Sequence, residues 1–425
     1  MAGTGVTYAP RPVADQLSLR RSNLSLVLRH LDASGPLSRA RLAQATGLTK
    51  ATVSSLVAEL AERGLVREGD VERGAVGRPG HQVQMNGPGA CGIGIELNVD
   101  YVASVVVDLA GRVVASDHLA LPASRLGPDA VLDEVARVAD AALAVVAAES
   151  SHAAGVTLAL PGGVDATEGT LTYAPNLGWR EVAVVAALAE RLGDRDVPVR
   201  VDNEANLAAL GEYRAGAAAG TPDLLLLTGE VGVGGGVISG GRLLRGGRGY
   251  GGEVGHMQLD PHGDECGCGR RGCWETLAGL TPLMRAAAGP GDDLLDPTVP
   301  LEHRLTELSR RAEAGDARTL AALAQVGSWL GLGAALLVNV LNPTVLVLGG
   351  YFATLGPWLT EPVRRQLTER VVAPGAGGCR VQLSTLGFAA AVRGGAQVAL
   401  DAVLDDPTIV SGPVTASRPM STAGA

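Results

Sequence analysis

From Ser22 the apolar positions recur at helical spacing, with Leu24, Val27, Leu28 and Leu31 on one face. Gly35-Pro36 stops that helix, and Ser38 is placed to cap a second one carrying Leu42 and Ala43. After the turn Thr46-Gly47-Leu48, Thr49 caps a third helix that turns Val53, Leu56, Val57 and Leu60 inward. Two short helices joined in this way have helix-turn-helix spacing. Gly64-Leu65-Val66-Arg67 then opens an alternating ribbon, which is interrupted from Gly74 to Gly80 and resumes at Gln82-Val83-Gln84-Met85. That pattern predicts a wing with Gly77-Arg78-Pro79-Gly80 at its tip. Residues 20–86 are therefore read as a winged helix-turn-helix, preceded by a flexible arm at 1–19 where Gly3, Gly5, Pro10 and Pro12 break any period.

Beyond Asn86-Gly87-Pro88-Gly89 the pattern becomes α/β. Strands are expected at Ile93 to Leu97, Tyr101 to Val107 and Arg112 to Leu119, then a helix near Pro128 to Ala148, a strand Val156 to Leu160, a helix around Glu181 to Leu192, a strand Val199 to Asp202 and a helix Ala205 to Ala217. A similar order restarts with strands at Leu224 to Thr228, Val233 to Ile238 and Arg242 to Leu244. It continues through later helices to strands at Val345 to Leu348 and Val381 to Ser384, with a helix near Trp358 to Val371 between them and a last helix to about Leu404. This predicts a duplicated βββαβαβα unit, with lobes at about 90–205 and 206–390 and a cleft between them. Residues 405–425, rich in Pro, Ser, Thr and Ala, read as a disordered tail.

Composition sharpens the division. The chain has 425 residues and is poor in aromatics, which suits close helix-on-strand packing through Ala, Val, Leu and Gly. Residues 1–86 carry 11 Lys+Arg against 7 Asp+Glu, a balance of +4, whereas the remainder carries 24 against 37, or −13. A basic module fused to an acidic body is the asymmetry of a nucleic-acid-binding protein. Lys50, the only lysine, stands with Thr52, Ser54 and Ser55 on the outer face of the third helix, where short donors and a cation suit base edges and phosphates of a double-stranded DNA operator. Arg78, held out by Gly and Pro, suits a narrow minor groove. The N-terminus has no apolar signal core, so a cytoplasmic protein is expected. From Thr319 to Leu341 there is no charge, but Gln325, Ser328 and Asn339, the missing terminal Lys or Arg and the immediate strand that follows favour a buried helix over a membrane span.

The stretch Gly252 to Glu275 concentrates three of the five cysteines and two of the seven histidines. His256, Cys266, Cys268 and Cys273 supply one nitrogen and three sulfurs, the donor set of one closed structural zinc ion per chain. Disulfides compete poorly: Cys266 and Cys268 are too close for an unstrained bond, and an odd cysteine would remain. Glycines at 267, 269 and 272 would let the backbone wrap the metal. Cys91 and Cys379, isolated in or beside strands, read as core thiols.

Glu253-x-x-His256, Cys266-Gly-Cys268-Gly-x-x-Gly-Cys273, Trp274-Glu275, Leu160-Pro161-Gly162-x-Val164-Asp165, Pro175-Asn176-Leu177-Gly178-Trp179 and Asn203-x-Ala205-Asn206 together resemble the ROK family of bacterial repressors and sugar kinases, over about residues 20–403. The resemblance implies an actin-like, ribonuclease-H-like domain at 90–403 whose last helix returns to the first lobe. It also implies a cleft where Asn203, Glu204, Glu253, His256 and Glu275 meet a sugar or sugar phosphate, with His256 sharing its two ring nitrogens between metal and ligand. The chain departs from the family's kinases at two places. Gly94 stands where their first Asp belongs and Glu96-Leu97-Asn98 replaces Gly-Gly-Thr, while Glu204 in Asn203-Glu204-Ala205-Asn206 replaces the Asp that serves as general base. The glycine run Gly229 to Gly236 resembles the second phosphate segment and survives in part, as does Gly349-Gly350 near the expected adenosine site.

A sugar-responsive transcriptional regulator without catalytic residues is therefore expected. It would act as a repressor of carbohydrate uptake or catabolism genes, working as a homodimer or homotetramer. An active ATP-dependent sugar kinase with an added DNA-binding domain and a regulator controlled by a protein partner are the alternatives.

Overall fold

The computed structural model describes residues 16–71, 81–247, 249–296, 298–372 and 378–411. Helix α1 (Gln16–Ser34) begins inside the stretch read as an arm, and Pro407–Ile409 forms a 3-10 turn inside the stretch read as a tail. Arg78 and the wing tip lie outside the described residues. Strand β1 (Leu37–Ser38) leads into α2 (Arg39–Thr46), and the turn through Gly47 into α3 (Lys50–Glu62). Ser38 occupies the cap position of α2 but its hydroxyl makes no capping bond, whereas Thr49 Oγ1 accepts from the Thr52 amide at 3.1 Å and fixes the start of α3. Strands β2 (Val66–Val71) and β3 (His81–Met85) pair antiparallel, and β1 adds to the other edge of β3.

In the body, β4 (Ala90–Leu97), β5 (Tyr101–Asp108) and β6 (Val113–Ala120) form a meander, followed by α4 (Pro128–Ala148) and β7 (His152–Leu160). A small antiparallel sheet of β8 (Gly163–Asp165), β9 (Thr170–Ala174) and β10 (Trp179–Val182), which periodicity did not indicate, precedes α5 (Val184–Leu192), β11 (Val199–Asn203) and α6 (Glu204–Ala215). The second meander is β12 (Leu224–Gly229), β13 (Val233–Ser239) and β14 (Arg242–Leu243). Four helices follow the cysteine loop: α7 (Trp274–Ala278), α8 (Leu280–Ala287), α9 (Leu301–Glu313) and α10 (Ala317–Leu341). The chain then runs through β15 (Val345–Gly350), α11 (Tyr351–Thr354), α12 (Gly356–Arg370) and β16 (Arg380–Leu383) to α13 (Ala390–Asp405). The two five-stranded sheets have orders β11-β7-β4-β5-β6 and β16-β15-β12-β13-β14. Each is a meander whose first strand pairs in parallel with the next strand along the chain, so the duplication is visible in the hydrogen bonding itself.

Helix α13 crosses back to pack on β4 and β7 of the first lobe, lying against α6 as it does so. Its backbone lies so close to β4 that a Cβ on Gly94 would overlap the Val392 carbonyl. Helix α10 is long and apolar enough to cross a membrane by length and composition, but it is packed inside the second lobe. Its neighbours are α8 and α12, and the Trp274 indole, which donates to the Trp329 carbonyl at 2.9 Å.

The N-terminal module is not held on a loose tether. Leu24, Leu28 and Val57 share one buried cluster with Val107, Leu400 and Val403 of the body. The connecting Gly87–Gly89 turn is clamped, because Asn86 Nδ2 donates to the Gly64 carbonyl at 2.6 Å and the Leu109 amide donates to the Gly87 carbonyl at 3.1 Å.

Candidate functional site

The cysteine loop folds onto itself through two antiparallel bridges, Gln258 with Cys273 and Glu265 with Arg271. Gly272 has φ +62°, and a side chain there would overlap the Asp260 carbonyl, so the hairpin closes only on glycine. Gly269 also takes a left-handed conformation, but Gly267 does not; its carbonyl accepts from the Tyr173 hydroxyl at 3.0 Å and ties the loop to β9. His256, Cys266, Cys268 and Cys273 bring four donor atoms within 4.8 Å of one another.

Cys266 Sγ lies 3.6 Å from His256 Nδ1, and Cys268 Sγ lies 3.6 Å from Cys273 Sγ. A tetrahedron with bonds of about 2.3 Å has edges of about 3.8 Å, so the residues fit one zinc-sized ion. The cysteines are free rather than paired. Burial and the Glu275 carboxylate, which accepts from Cys266 Sγ at 2.8 Å, push that thiol up; a bound cation reverses this balance, since a coordinating thiol gives up its proton.

Beside this cluster, the carboxyl ends of β4, β7, β11 and β12 converge on a cleft between the lobes, the position where α/β sheets place ligands. Asn203, Glu204, Glu253, His256 and Glu275, all expected at a sugar site, line it. Asn203 caps α6: Oδ1 accepts from the Ala205 and Asn206 amides at 2.9 and 3.2 Å, while Nδ2 donates to the Gly162 carbonyl at 3.0 Å and to Glu204 Oε2 at 2.8 Å. Its polar atoms are thus engaged in holding the corner and aiming Glu204. His256 turns Nδ1 toward Cys266 and Glu275, and Nε2 toward Glu253 Oε2 at 4.0 Å, so one nitrogen faces the sulfurs and the other the cleft. Burial raises the Glu253 carboxyl, with His256 opposing and Glu275 reinforcing the shift.

The inner end of the cleft holds residues that motif spacing did not single out as ligand contacts. Tyr101 Oη donates to Glu96 Oε1 at 2.7 Å, and Asn98 Nδ2 donates to Tyr101 Oη at 3.2 Å and, over a short contact, to Glu230 Oε2. Glu96 is fully buried, and that burial raises its carboxyl to about 7 against the hydrogen bonds from Tyr101 and Asn98. Burial also raises Glu204 and Glu230 well above the usual carboxylate range; repulsion from Glu230 and Glu253 adds to the first, and repulsion from Glu96 to the second. Glu230 interrupts the glycine run read as a surviving phosphate segment, and a lone carboxylate inside such a run was the available signal.

On α3, Lys50, Ser54 and Ser55 are exposed, while Thr52 is half-buried with its hydroxyl 2.9 Å from Thr49 Oγ1. Ser55 Oγ accepts from Arg20 at 3.4 Å, and Arg20 also pairs with Glu59 at 2.6 Å, so α1 contributes an arginine beside the expected DNA-facing surface.

Residues 25–75 match a family model described as the MarR family. The xylose repressor of Bacillus subtilis (strain 168) is 29% identical over 395 residues, covering 92% of this chain and 98% of that repressor. The glucokinase of Halalkalibacterium halodurans is 31% identical over 311 residues, covering 71% of this chain and 93% of the kinase. A solved ROK family transcriptional regulator, described as a homologue of the Escherichia coli MLC protein, superposes with a TM-score of 0.76 at 24% identity over 91% of this chain and 97% of its own, a likeness of fold. The ROK family model itself matches residues 92–402, taking in both sheets, the cleft and the cysteine loop, and the chain belongs to the ROK family.

Proposed function

We propose that this protein is a sugar-responsive DNA-binding regulator, a repressor of carbohydrate uptake or catabolism genes that leaves its operator when a sugar closes the cleft. The observation that carries this reading is the joining of a helix-turn-helix to the cleft-bearing body through one hydrophobic core. Repressors among its relatives align over nearly their whole length, the N-terminal module included.

In this reading one zinc ion sits on His256, Cys266, Cys268 and Cys273 and fixes the loop. The His256 ring, so held, offers Nε2 to a hydroxyl beside Glu253, with Glu204 and Glu275 as further acceptors and Asn203 setting the corner. Lys50, Thr52, Ser54, Ser55 and Arg78 serve the operator: the α3 residues in the major groove, with Thr52 acting mainly through its contact with the Thr49 cap, and Arg78 in the minor groove. A cytoplasmic homodimer or homotetramer would present two such helices to the half-sites of a palindrome.

The reading excludes phosphoryl transfer. The turn after β4 brings Asn98 and Val99 rather than a pair of glycines to the cleft, which shields its backbone amides, while Gly94, where the Asp was expected to be missing, lies inside the strand against α13 and away from the cleft. Glu96 and Glu230 put carboxyls where phosphate would need donors. The glycine-rich β12–β13 turn and the likeness to a glucokinase favour the alternative of a kinase.

Two measurements decide. A mobility shift on the DNA upstream of the protein's own gene, titrated against a sugar panel, is expected to show a complex that one sugar dissolves; a complex indifferent to every sugar removes the support for induction. Sugar-dependent ADP release with ATP and magnesium, at a useful turnover, would establish the kinase instead.

A further inference from the structure

We propose that Glu230, backed by Glu96 and Glu204, makes the inner end of the cleft a charge filter that admits unphosphorylated sugars and turns away sugar phosphates. The inference rests on reading the cleft as a sugar site and goes beyond it by naming the chemical form of the effector.

A phosphate monoester brings between one and a half and two negative charges and three acceptor oxygens, and therefore needs cations or several free donors. The wall supplies no cation, and its side-chain donors are the Asn176 amide, the Thr228 hydroxyl and His256 Nε2. No lysine or arginine is among the described residues lining the cleft. Arg245, close behind it, is committed to Asp202 at 2.5 Å. The amide protons of Asn98 are spent on Glu230 and Tyr101, and those of Asn203 on Gly162 and Glu204. Against those few donors stands a larger acceptor capacity: the Glu204 and Glu230 carboxyls, and behind them Glu96 Oε2, a fully buried oxygen with no hydrogen-bond partner.

Burial and mutual repulsion raise the Glu204 and Glu230 carboxyls, so the wall takes up protons rather than accumulate charge, and a dianion placed beside them adds repulsion that no cation offsets. Sugar hydroxyls have the opposite polarity. Each can donate one proton to a carboxylate, and adjacent hydroxyls match the two oxygens of one carboxyl. The same wall that repels phosphate is a set of partners for a neutral polyol.

The test is calorimetric titration of the full-length, zinc-loaded protein with matched pairs: xylose and xylose 5-phosphate, glucose and glucose 6-phosphate, N-acetylglucosamine and its 6-phosphate. Binding of a free sugar with its phosphate at least roughly a hundredfold weaker is expected, the scale of a like-charge juxtaposition. Glu230→Gln is expected to narrow that ratio by about tenfold or more, and Glu204→Gln provides an independent variant should the first fail to fold, with zinc content and operator binding reporting integrity. A phosphate that binds as well as or better than its parent sugar, or a ratio unmoved in both variants, overturns the filter while leaving the sugar-sensor reading intact. If no sugar in either form binds, the sensor reading falls first and the filter with it.

Discussion

The two ring nitrogens of His256 face different surroundings: Nδ1 stands among the sulfurs and Glu275, and Nε2 looks toward Glu253 and the cleft. Cys268→Ser removes a metal donor that does not line the cleft. It is expected to abolish the single zinc measured per chain by elemental analysis and to weaken sugar binding about ten- to a hundredfold, the cost of losing an orienting shell; full zinc retention would remove the ion from this loop. A second prediction concerns Glu96. Its carboxyl is raised to about 7 in the fold by burial, so the stability it contributes is complete below its unfolded value near 4.5 and is lost as pH rises through 7. Glu96→Gln keeps an acceptor for Tyr101 and discards the charge, so its melting temperature is expected to exceed that of the parent at pH 8 and to approach it near pH 5. Thermal unfolding at the two pH values checks the sign, and an equal shift at both would mean that ionisation of Glu96 is not what destabilises the parent.

At the scale of elements, what the sequence could reveal depended on how local the cause was. The helix expected near Pro128 to Ala148 spans those residues, because its apolar stripe is local. The donors of the cysteine loop were legible because metal ligands must be near one another in a short hairpin. The sheet of β8, β9 and β10 was not, since strands of three to five residues separated by turns carry too few alternations to detect. Gly94 was read as a change in the phosphate turn, but it lies inside β4, and its smallness answers to Val392, almost three hundred residues downstream, where α13 presses on β4. Likewise Glu230 became part of the cleft only when β12 brought it to Asn98.

The face of α3 could be foreseen, yet its parts divide in a way that spacing does not show: Lys50 is exposed, while the Thr52 hydroxyl rests against Thr49. Lys50→Ala is accordingly expected to weaken operator and non-operator DNA by similar factors and to lower the salt slope by about one, as loss of one phosphate contact does. Thr49→Ala acts through the fold, costing about 1 kcal/mol of stability for the lost cap. Filter binding across a salt series, with denaturant melts alongside, separates the two.

The whole molecule offers a short route from sugar to DNA, and α6 is its centre. The helix starts under Asn203 in the cleft and runs about 18 Å over its twelve residues to a last turn that carries Arg214. There Arg214 meets Asp32 of α1 at 3.2 Å and Asp401 of α13 at 2.7 Å. Arg29 of α1 pairs with Asp405, and Arg63 at the end of α3 donates to the Thr408 and Val410 carbonyls at 3.3 and 2.9 Å. The recognition helix is therefore tied to the same C-terminal segment that packs on α6, and a shift at the Asn203 corner on sugar binding has rigid neighbours on which to act. The shared core packs the module against the body independently of Arg214, so its removal is expected to bear on coupling more than on stability.

Arg214→Gln is expected to leave zinc content unchanged and sugar affinity within about twofold, while the loss of operator affinity on adding sugar shrinks several-fold. Coupling between two sites is reciprocal, so the effect of operator DNA on sugar affinity must shrink by the same factor. Mobility shifts with and without sugar measure the first quantity, and calorimetry with and without operator the second. Undiminished induction in the variant would show that α6 does not carry the signal through its C-terminal end.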